Sequence, residues 1–440
     1  MSRRIYYDGL NLSLEHGTGI ATYARTLANV VRALGYEVGV VYSSPHRPPA
    51  NRLLREIAFF DPNNAVRISR LRGYSNRWID QLRYARGVAT NTLTLSGAIV
   101  TEHFERRLPL QARMFVARNL FANARIYYSW SGRFAELTFE TPPDILHCTY
   151  QLPLRAKGAC NIYTIHDLVP LRLPYTTLDN KRQTYRLLRK IAAEADHIVT
   201  VSEQSKRDIV EILGIDAGRV TNTYEAVHFR PEYIERPDEL VAAQLESALQ
   251  LEMHGYLLFY GAFEPKKNIG RLIDAYLLSA TDMPLVITGP PGWGTQGETA
   301  LLRQAHDEDR SGTRLRRRFY RLEYASRSML VTLIRGARAV LFPSLYEGFG
   351  LPVLEAMALG TPVVTSRTSS LPEVAGDAAL YVDPYDTDDI ARAIQKITAD
   401  DGLCAELSRR GRLQAEQFSV ERYSARVAAL YKGLGVSASG

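Results

Sequence analysis

Cysteine is scarce in this chain, with three in 440 residues. Cys148, Cys160 and Cys404 are too few and too scattered for a disulfide framework or a metal knot, so they read as small buried residues in a reducing compartment, the cytoplasm. No run of about 18 uncharged apolar residues occurs, which excludes a spanning helix. The opening MSRRIYYDGL passes straight into a strand, without the apolar region of a signal peptide. Lysine is missing between Ala50 and Ala135, where 14 Arg stand against 5 Asp plus Glu. That surplus of nine exceeds the +7 of the whole chain, so the remainder is slightly acidic. A basic patch of this kind attracts phosphates on lipids, nucleic acid or sugar nucleotides. The rest is ordinary: 46% apolar and 23% charged residues suit a globular protein of two or three domains.

Periodicity gives a β-α-β start. Arg4 to Leu12 reads as a strand, Glu15 to Gly19 as a glycine loop, Ile20 to Leu34 as a helix and Glu37 to Tyr42 as the next strand. The pattern weakens from Ser43 to Thr141. Within it, Arg106 to Phe134 interleaves arginines with Leu110, Phe115, Phe121 and Trp130, which fits one or two basic amphipathic helices over the core or on an anionic membrane. No nucleic-acid recognition motif accompanies them. Regular alternation resumes with strands Ile145 to Tyr150, Asn161 to Ile165, His197 to Val201 and Arg219 to Tyr224, separated by helices near Lys181 to Ala195 and Glu203 to Leu213. His166 and Asp167 follow a strand directly, at the carboxyl edge where open sheets bind ligands; a turn whose Asp caps a backbone N–H is the plainer alternative.

Phe229 to Met253 lacks strand character and reads as the hinge. A second series follows: strand Tyr256 to Tyr260, helix Asn268 to Leu278, strand Pro284 to Thr288, turn Gly289 to Gly292, strand Arg316 to Tyr320, helix Ser326 to Gly336 and strand Ala339 to Phe342. Helices Thr387 to Ala399, Leu403 to Phe418 and Val420 to Leu434 end the chain. The densest punctuation lies between Leu341 and Asp383, where Ser344, Gly348 and Gly350 break an apolar run before Pro352 opens a helix. A loop between a strand's carboxyl end and a helix's amino end points backbone N–H groups and a positive dipole at one spot, which suits a diphosphate. Glu347 and Glu355, eight residues apart, can face the same crevice and accept bonds from sugar or ribose hydroxyls. Two α/β halves, each with a glycine loop, imply a ligand in the cleft between them.

The E-x7-E pattern inside SLYEGFGLPVLEAMALGTPVV resembles that of the retaining GT-B glycosyltransferases of family 4. GAFEPKKNI at Gly261 to Ile269, Gly292-Trp293, GARAVLFPS, SSLPEVAGDAALYVDP, TGIATY and YTIHDLVPL are similar to further segments of that family. The resemblance implies an α/β GT-B fold: a Rossmann-like acceptor domain over residues 1–230 with an Arg-rich insertion at about 50–140, a Rossmann-like donor domain over 250–418, and a helix over 419–440 returning to the first domain. It implies a sugar-nucleotide donor in the second domain and a glycan or lipid-linked glycan acceptor in the first; the Arg-rich helices read above offer an anionic membrane surface at the cytoplasmic face as a further partner, and no nucleic acid is expected. On that reading Glu347 binds the donor sugar, Glu355 the ribose, and the N–H groups of Phe349, Gly350 and Leu351 the sugar or diphosphate. Lys267, helped by Lys266, meets the diphosphate as it leaves, and Gly19 lets the first domain approach it. His166 and Asp167 lie beside the donor sugar and acceptor, and Tyr324 beside the nucleobase.

The family's mechanism retains anomeric configuration and needs no carboxylate nucleophile. Ala21 and Thr22 replace the glycine and arginine of the family's first loop, Ala262 stands where some relatives place a second arginine, Glu323 replaces a glycine near the base, and Val420 an aromatic. Asp307-Glu308-Asp309 and Asp386-Thr387-Asp388 formally fit a metal-binding D-x-D, but lie in polar segments away from the glycine loops. No metal or other cofactor is therefore expected. The first-half pattern resembles bacterial mannosyltransferases of surface polysaccharide assembly, which points to GDP-mannose, with a UDP- or dTDP-sugar as the alternative. A dinucleotide-dependent oxidoreductase would need a third glycine after Gly17-Thr18-Gly19. A non-catalytic scaffold would have lost Lys267 or one glutamate.

Overall fold

The computed structural model describes residues 3–13, 19–45, 49–61, 84–105, 108–109, 111–290, 292 and 319–437. The first half is built on an eight-stranded sheet. Its strands are β1 (Arg4–Asp8), β2 (Glu37–Ser44), β4 (Asn91–Leu93), β5 (Arg113–Arg118), β7 (Ile145–Cys148), β9 (Cys160–Thr164), β10 (His197–Thr200) and β11 (Val220–Asn222). They lie in the order β11-β10-β9-β7-β1-β2-β5-β4, parallel throughout except for β4 against β5. β3 (Val88–Ala89), β6 (Ala135–Thr138) and β8 (Leu154–Ala156) make a small second sheet beside it. The second half holds a parallel six-stranded sheet, β14-β13-β12-β15-β16-β17, from β12 (Leu257–Tyr260), β13 (Leu285–Thr288), β14 (Phe319–Leu322), β15 (Ala339–Phe342), β16 (Val363–Ser366) and β17 (Leu380–Val382). Strands such as LLFY, LVIT and AVLF are buried along their whole length, as parallel strands covered by helices on both faces must be.

Both sheets are doubly wound, and their order reverses beside β1 and beside β12. Crevices open at such switch points outside the carboxyl ends of the strands, and here they belong to the two halves of one site. The last helix, Val420–Gly433, leaves the second half and lies on the first. It is seated by a buried polar row: the Tyr431 hydroxyl is 3.0 Å from the Tyr7 hydroxyl and 3.0 Å from His147 Nδ1, and His147 Nε2 is 2.8 Å from Thr164 Oγ1. Burial depresses the His147 pKa to about 3, with His166 and His197 adding to the shift, so the ring is neutral.

Three sequence expectations change. Arg113–Arg118 is a strand inside the sheet, with Met114, Phe115, Val116 and Ala117 buried, and among the described residues between Arg106 and Phe134 the helix is Leu120–Ser131. β2 pairs along one edge of this strand and β4 along the other, which buries both of its faces, and Arg113 at its start pairs with Glu37 of β2. The segment read as a hinge contains the helix Asp238–Leu249, whose Val241 and Leu245 are buried at i, i+4 spacing. It packs on the helix Arg327–Gly336, where a Cβ on Gly336 would meet Leu245 Cδ1 at 2.2 Å. The strand expected at Arg316 to Tyr320 begins at Phe319 and ends at Leu322, and residues 316–318 lie outside the described residues. The same holds for Glu15 to Thr18, Trp293 and Asp307 to Asp309.

Candidate active site

The second half supplies a cationic turn over a carboxylate. Gly261 leaves β12 at φ 137° and Gly289 leaves β13 at φ 150°. A Cβ on Gly289 would stand 1.9 Å from the Gly261 carbonyl oxygen, so only glycine lets these turns meet. Pro265–Lys267 then forms a single 3-10 turn, ended by Asn268 at φ 61°. The Asn268 amide donates to the carbonyls of Pro343 (3.0 Å) and Pro384 (2.7 Å), and the Leu345 N–H donates to the Lys266 carbonyl (2.7 Å). These bonds pin the lysines to the loop after β15.

Lys267 Nζ lies 2.6 Å from Glu347 Oε1 and 4.6 Å from the centre of the Phe342 ring. Lys266 Nζ lies 3.7 Å from Glu347, 3.9 Å from Glu264 and 4.0 Å from Asp167 of the first half. The Glu347 and Lys267 side chains are only 7% and 12% exposed. Burial pushes the Glu347 carboxyl up, but the charges of Lys267 and then Lys266 outweigh it and leave the group below its ordinary range. Burial likewise opposes the charge on Lys266, and Glu347, Asp167 and Glu264 overcome it and raise its pKa.

The loop itself is wired to expose N–H groups. The Ser370 hydroxyl is 3.0 Å from the Glu347 carbonyl and 2.8 Å from that of Phe349, while the Glu347 N–H is taken by Ser369 Oγ at 3.0 Å. With those carbonyls turned inward, the N–H groups of Phe349, Gly350 and Leu351 find no partner among the described residues. Gly350 adopts φ 107° at the start of the helix Leu351–Ala358. The result is an anion cradle at a helix amino terminus beside a fixed ammonium. About one turn on, Glu355 Oε1 receives Arg327 Nη1 at 2.7 Å. The Phe349 side chain is buried, 5.5 Å from the Phe418 ring.

The first half closes over this cradle. His166 Nε2 is 3.0 Å from the Thr149 carbonyl, which can only accept, so that nitrogen carries a hydrogen. His166 Nδ1 is 3.5 Å from Glu225 Oε1, and the ring stands edge-on to Tyr23. Thr149 is in turn clamped by Asp8, whose Oδ2 accepts its N–H at 2.5 Å and its hydroxyl at 2.8 Å. Both His166 nitrogens are thus held by protein groups. Asp167 Oδ1 accepts the Val169 N–H at 3.1 Å, while Oδ2 faces Lys266.

Contacts across the cleft are close. A Cβ on Gly348 would stand 2.8 Å from the His166 carbonyl oxygen and 3.0 Å from Asp167 Cβ. Ser205 Oγ lies 2.9 Å from the same His166 oxygen and 3.3 Å from that of Gly348. Glu373 of the second half accepts the N–H groups of Glu203 (2.7 Å) and Gln204 (3.2 Å), capping the first-half helix Glu203–Leu213. The Tyr346 hydroxyl donates to Asp208. Gly19 begins the helix Gly19–Ala33, and a Cβ there would lie 3.7 Å from Leu351 Cδ1, so helix amino termini from both halves face one space.

Of the residues singled out by sequence, Glu347, Lys267, Lys266, Asp167, His166, Gly19, Phe349, Gly350 and Leu351 are gathered at this point, with Glu355 one turn further on. Tyr324 is not among them: it sits 77% exposed on the turn after β14 and makes no hydrogen bond or ring contact among the described residues. Arg327, Glu225, Ser205 and Glu373 were not foreseen. Only Glu373 carried a signal, as part of SSLPEVAGD. Asp386 accepts the N–H groups of Asp388 (2.9 Å) and Asp389 (3.1 Å), a helix cap. Among the described residues no group of three or more His, Cys, Asp and Glu is disposed to hold a metal ion, and no helix is long and apolar enough to cross a membrane.

Residues 244–414 match the family model for glycosyl transferases group 1, and residues 86–228 that for glycosyltransferase family 4. The chain is 36% identical to O-antigen chain mannosyltransferase B of Escherichia coli over 64% of this chain and 72% of that one. It is 31% identical to the serotype-specific mannosyltransferase WbdA of E. coli over 58% of this chain, a segment spanning 31% of that longer protein. Among solved structures it is similar in fold to sucrose-phosphate synthase from Thermosynechococcus elongatus (18% identity, TM-score 0.65, 98% and 99% of the two chains). HepE of Anabaena, solved with UDP and glucose, shares the fold at 14% identity, with TM-score 0.65 over 98% and 100%.

Proposed function

We propose, for a chain that belongs to the family 4 glycosyltransferases and has their GT-B fold, that it moves mannose from GDP-mannose onto a glycan or lipid-linked glycan of a surface polysaccharide such as O-antigen. The sugar and the pathway are suggested by the mannosyltransferases it is similar to. The observation that carries the chemistry is the buried Lys267–Glu347 pair at the amino terminus of the helix Leu351–Ala358, faced by Gly19 and His166.

In the proposed reaction the diphosphate lies on the N–H groups of Phe349, Gly350 and Leu351. The bond from the sugar's anomeric carbon to the diphosphate oxygen breaks, and its electron pair stays on the diphosphate. Lys267 meets that growing charge from a fixed, water-poor position, where a cation lowers the barrier most. The acceptor hydroxyl oxygen bonds to the anomeric carbon from the same face, and its proton passes to a leaving phosphate oxygen, so configuration is retained. Glu347 holds the donor sugar's hydroxyls and keeps Lys267 aimed. Glu355 holds the ribose, and no metal is needed where Lys267 and the helix dipole carry the positive charge.

The test is transfer from GDP-mannose, UDP-glucose and a dTDP-sugar to short mannose-ended acceptors, with product anomers assigned by NMR. Mannose transfer from GDP-mannose alone, giving the α-product, is expected. An inverted product, or transfer only from a UDP- or dTDP-sugar, refutes the corresponding part.

A further inference from the structure

Arg327 opens the helix Arg327–Gly336, just after the turn that leaves β14. Its Nη1 is committed to Glu355 Oε1 at 2.7 Å, and its guanidinium carbon lies 4.8 Å from the centre of the Phe229 ring. The side chain is nevertheless 43% exposed. Among the described residues nothing accepts a hydrogen bond from its Nε or Nη2. The guanidinium is therefore held at one corner and over one face, with its Nε–Nη2 edge open.

The helix Leu351–Ala358 sets the direction in which a nucleotide must lie. Its amino terminus takes the diphosphate, and Glu355 sits about 6 Å further along at 1.5 Å per residue. With its ribose at Glu355, the donor placement proposed above leaves the base beside the turn that follows β14, the side from which Arg327 reaches Glu355. An open guanidinium edge offers two parallel N–H donors and seeks two neighbouring acceptors. Guanine presents O6 and N7 side by side; adenine pairs N7 with an amino donor. Uracil and thymine offer O4 next to an N–H donor.

We infer that Arg327 reads the base of the donor nucleotide and selects guanine, through Nε–H and Nη2–H to O6 and N7. Glu355 then does two things at once, holding the ribose and fixing the plane of the guanidinium. The inference rests on the donor placement proposed above, and the two fail separately. GDP, UDP and ADP are titrated calorimetrically against the wild type, Arg327→Gln and Arg327→Lys, with melting curves to verify folding. The wild type is expected to prefer GDP by about 10-fold to 100-fold, the discrimination typical of one bidentate base contact. Both variants are expected to lose that ratio while keeping UDP affinity within about 3-fold. Lysine retains the charge but not the fork, so its failure to restore selectivity separates base reading from general attraction. Equal weakening of GDP and UDP, an unchanged ratio, or a wild type without guanine preference overturns the inference. Guanine selectivity without mannose transfer supports it and refutes only the choice of sugar.

Discussion

Lys267→Ala removes one partner of a buried ion pair, and the consequences for stability and for catalysis part company. Breaking a buried pair by deleting one member costs about 3–5 kcal/mol when the orphaned charge has no other partner. Here Lys266 remains 3.7 Å from Glu347, so the expected loss is smaller, about 1–3 kcal/mol for a charged group with one bond left unmade. Glu347 sits below its ordinary carboxylate pKa because burial is outweighed first by Lys267 and then by Lys266. The pair's contribution is thus complete above the ordinary pKa of 4.5 and is lost as pH falls through the lower folded value. Without Lys267 that acid loss should begin at higher pH. Adding Glu347→Gln to Lys267→Ala removes the carboxylate but also the largest counter-charge of Lys266, which keeps Asp167 and Glu264, so it should restore part of the stability. Transfer should not return: removing a fixed donor at the developing charge costs roughly 10²–10³ in kcat, and the double variant lacks it as well. Urea and thermal melts followed by circular dichroism measure the first effect, and nucleoside diphosphate release in the presence of acceptor measures the second. If the double variant regains transfer, or Lys267→Ala keeps activity within about 5-fold of wild type, the role given to Lys267 is wrong.

Gly348→Ala should leave both halves folded but hold the cleft open, since its methyl would stand 2.8 Å from the His166 carbonyl; a donor KM raised several-fold with unchanged melting is expected, and a wild-type KM counts against the closed geometry. His147, with a folded pKa of about 3 against an ordinary 6.5, binds fewer protons folded than unfolded in that window. Stability should therefore fall as pH drops below about 6.5, by up to about 1.4 kcal/mol per pH unit, and His147→Gln should flatten the dependence of melting temperature on pH between 7.5 and 5. An equally steep slope in the variant would assign the acid sensitivity elsewhere.

The sequence made the second half readable because its signals are local. Wholly apolar strands, Gly350 before Pro352, and Glu347 and Glu355 flanking a helix start are set within a few residues of each other. The first half gave less. Arg113–Arg118 looks like part of a basic helix until β2, about 75 residues earlier, and β4 pair with it, and such pairing is not written in local periodicity. Asp238–Leu249 lies in a stretch without strand character that reads as a hinge, although Pro237 only precedes the helix and its Glu and Ala favour one. The partners of the site's groups were the least visible. Arg327 is 28 residues from Glu355, Glu225 is 59 from His166, and Glu373 is 170 from Glu203, so only the folded chain brings them together.

Tyr224 and Phe418 lie where the chain passes from the first half to the second and where it passes back, and their rings are 5.3 Å apart. Two crossings side by side form a pivot, not a sliding track. For any rotation about it, displacement grows with distance from those two rings. Phe349 packs on both, at 6.4 Å and 5.5 Å, so the loop that cradles the diphosphate sits on the short arm of the lever. Glu373, which caps Glu203 and Gln204 of the first half, lies against the Tyr224 hydroxyl, so this grip too sits beside the pivot. A turn of the halves about these two rings would therefore displace the cradle and this cap least.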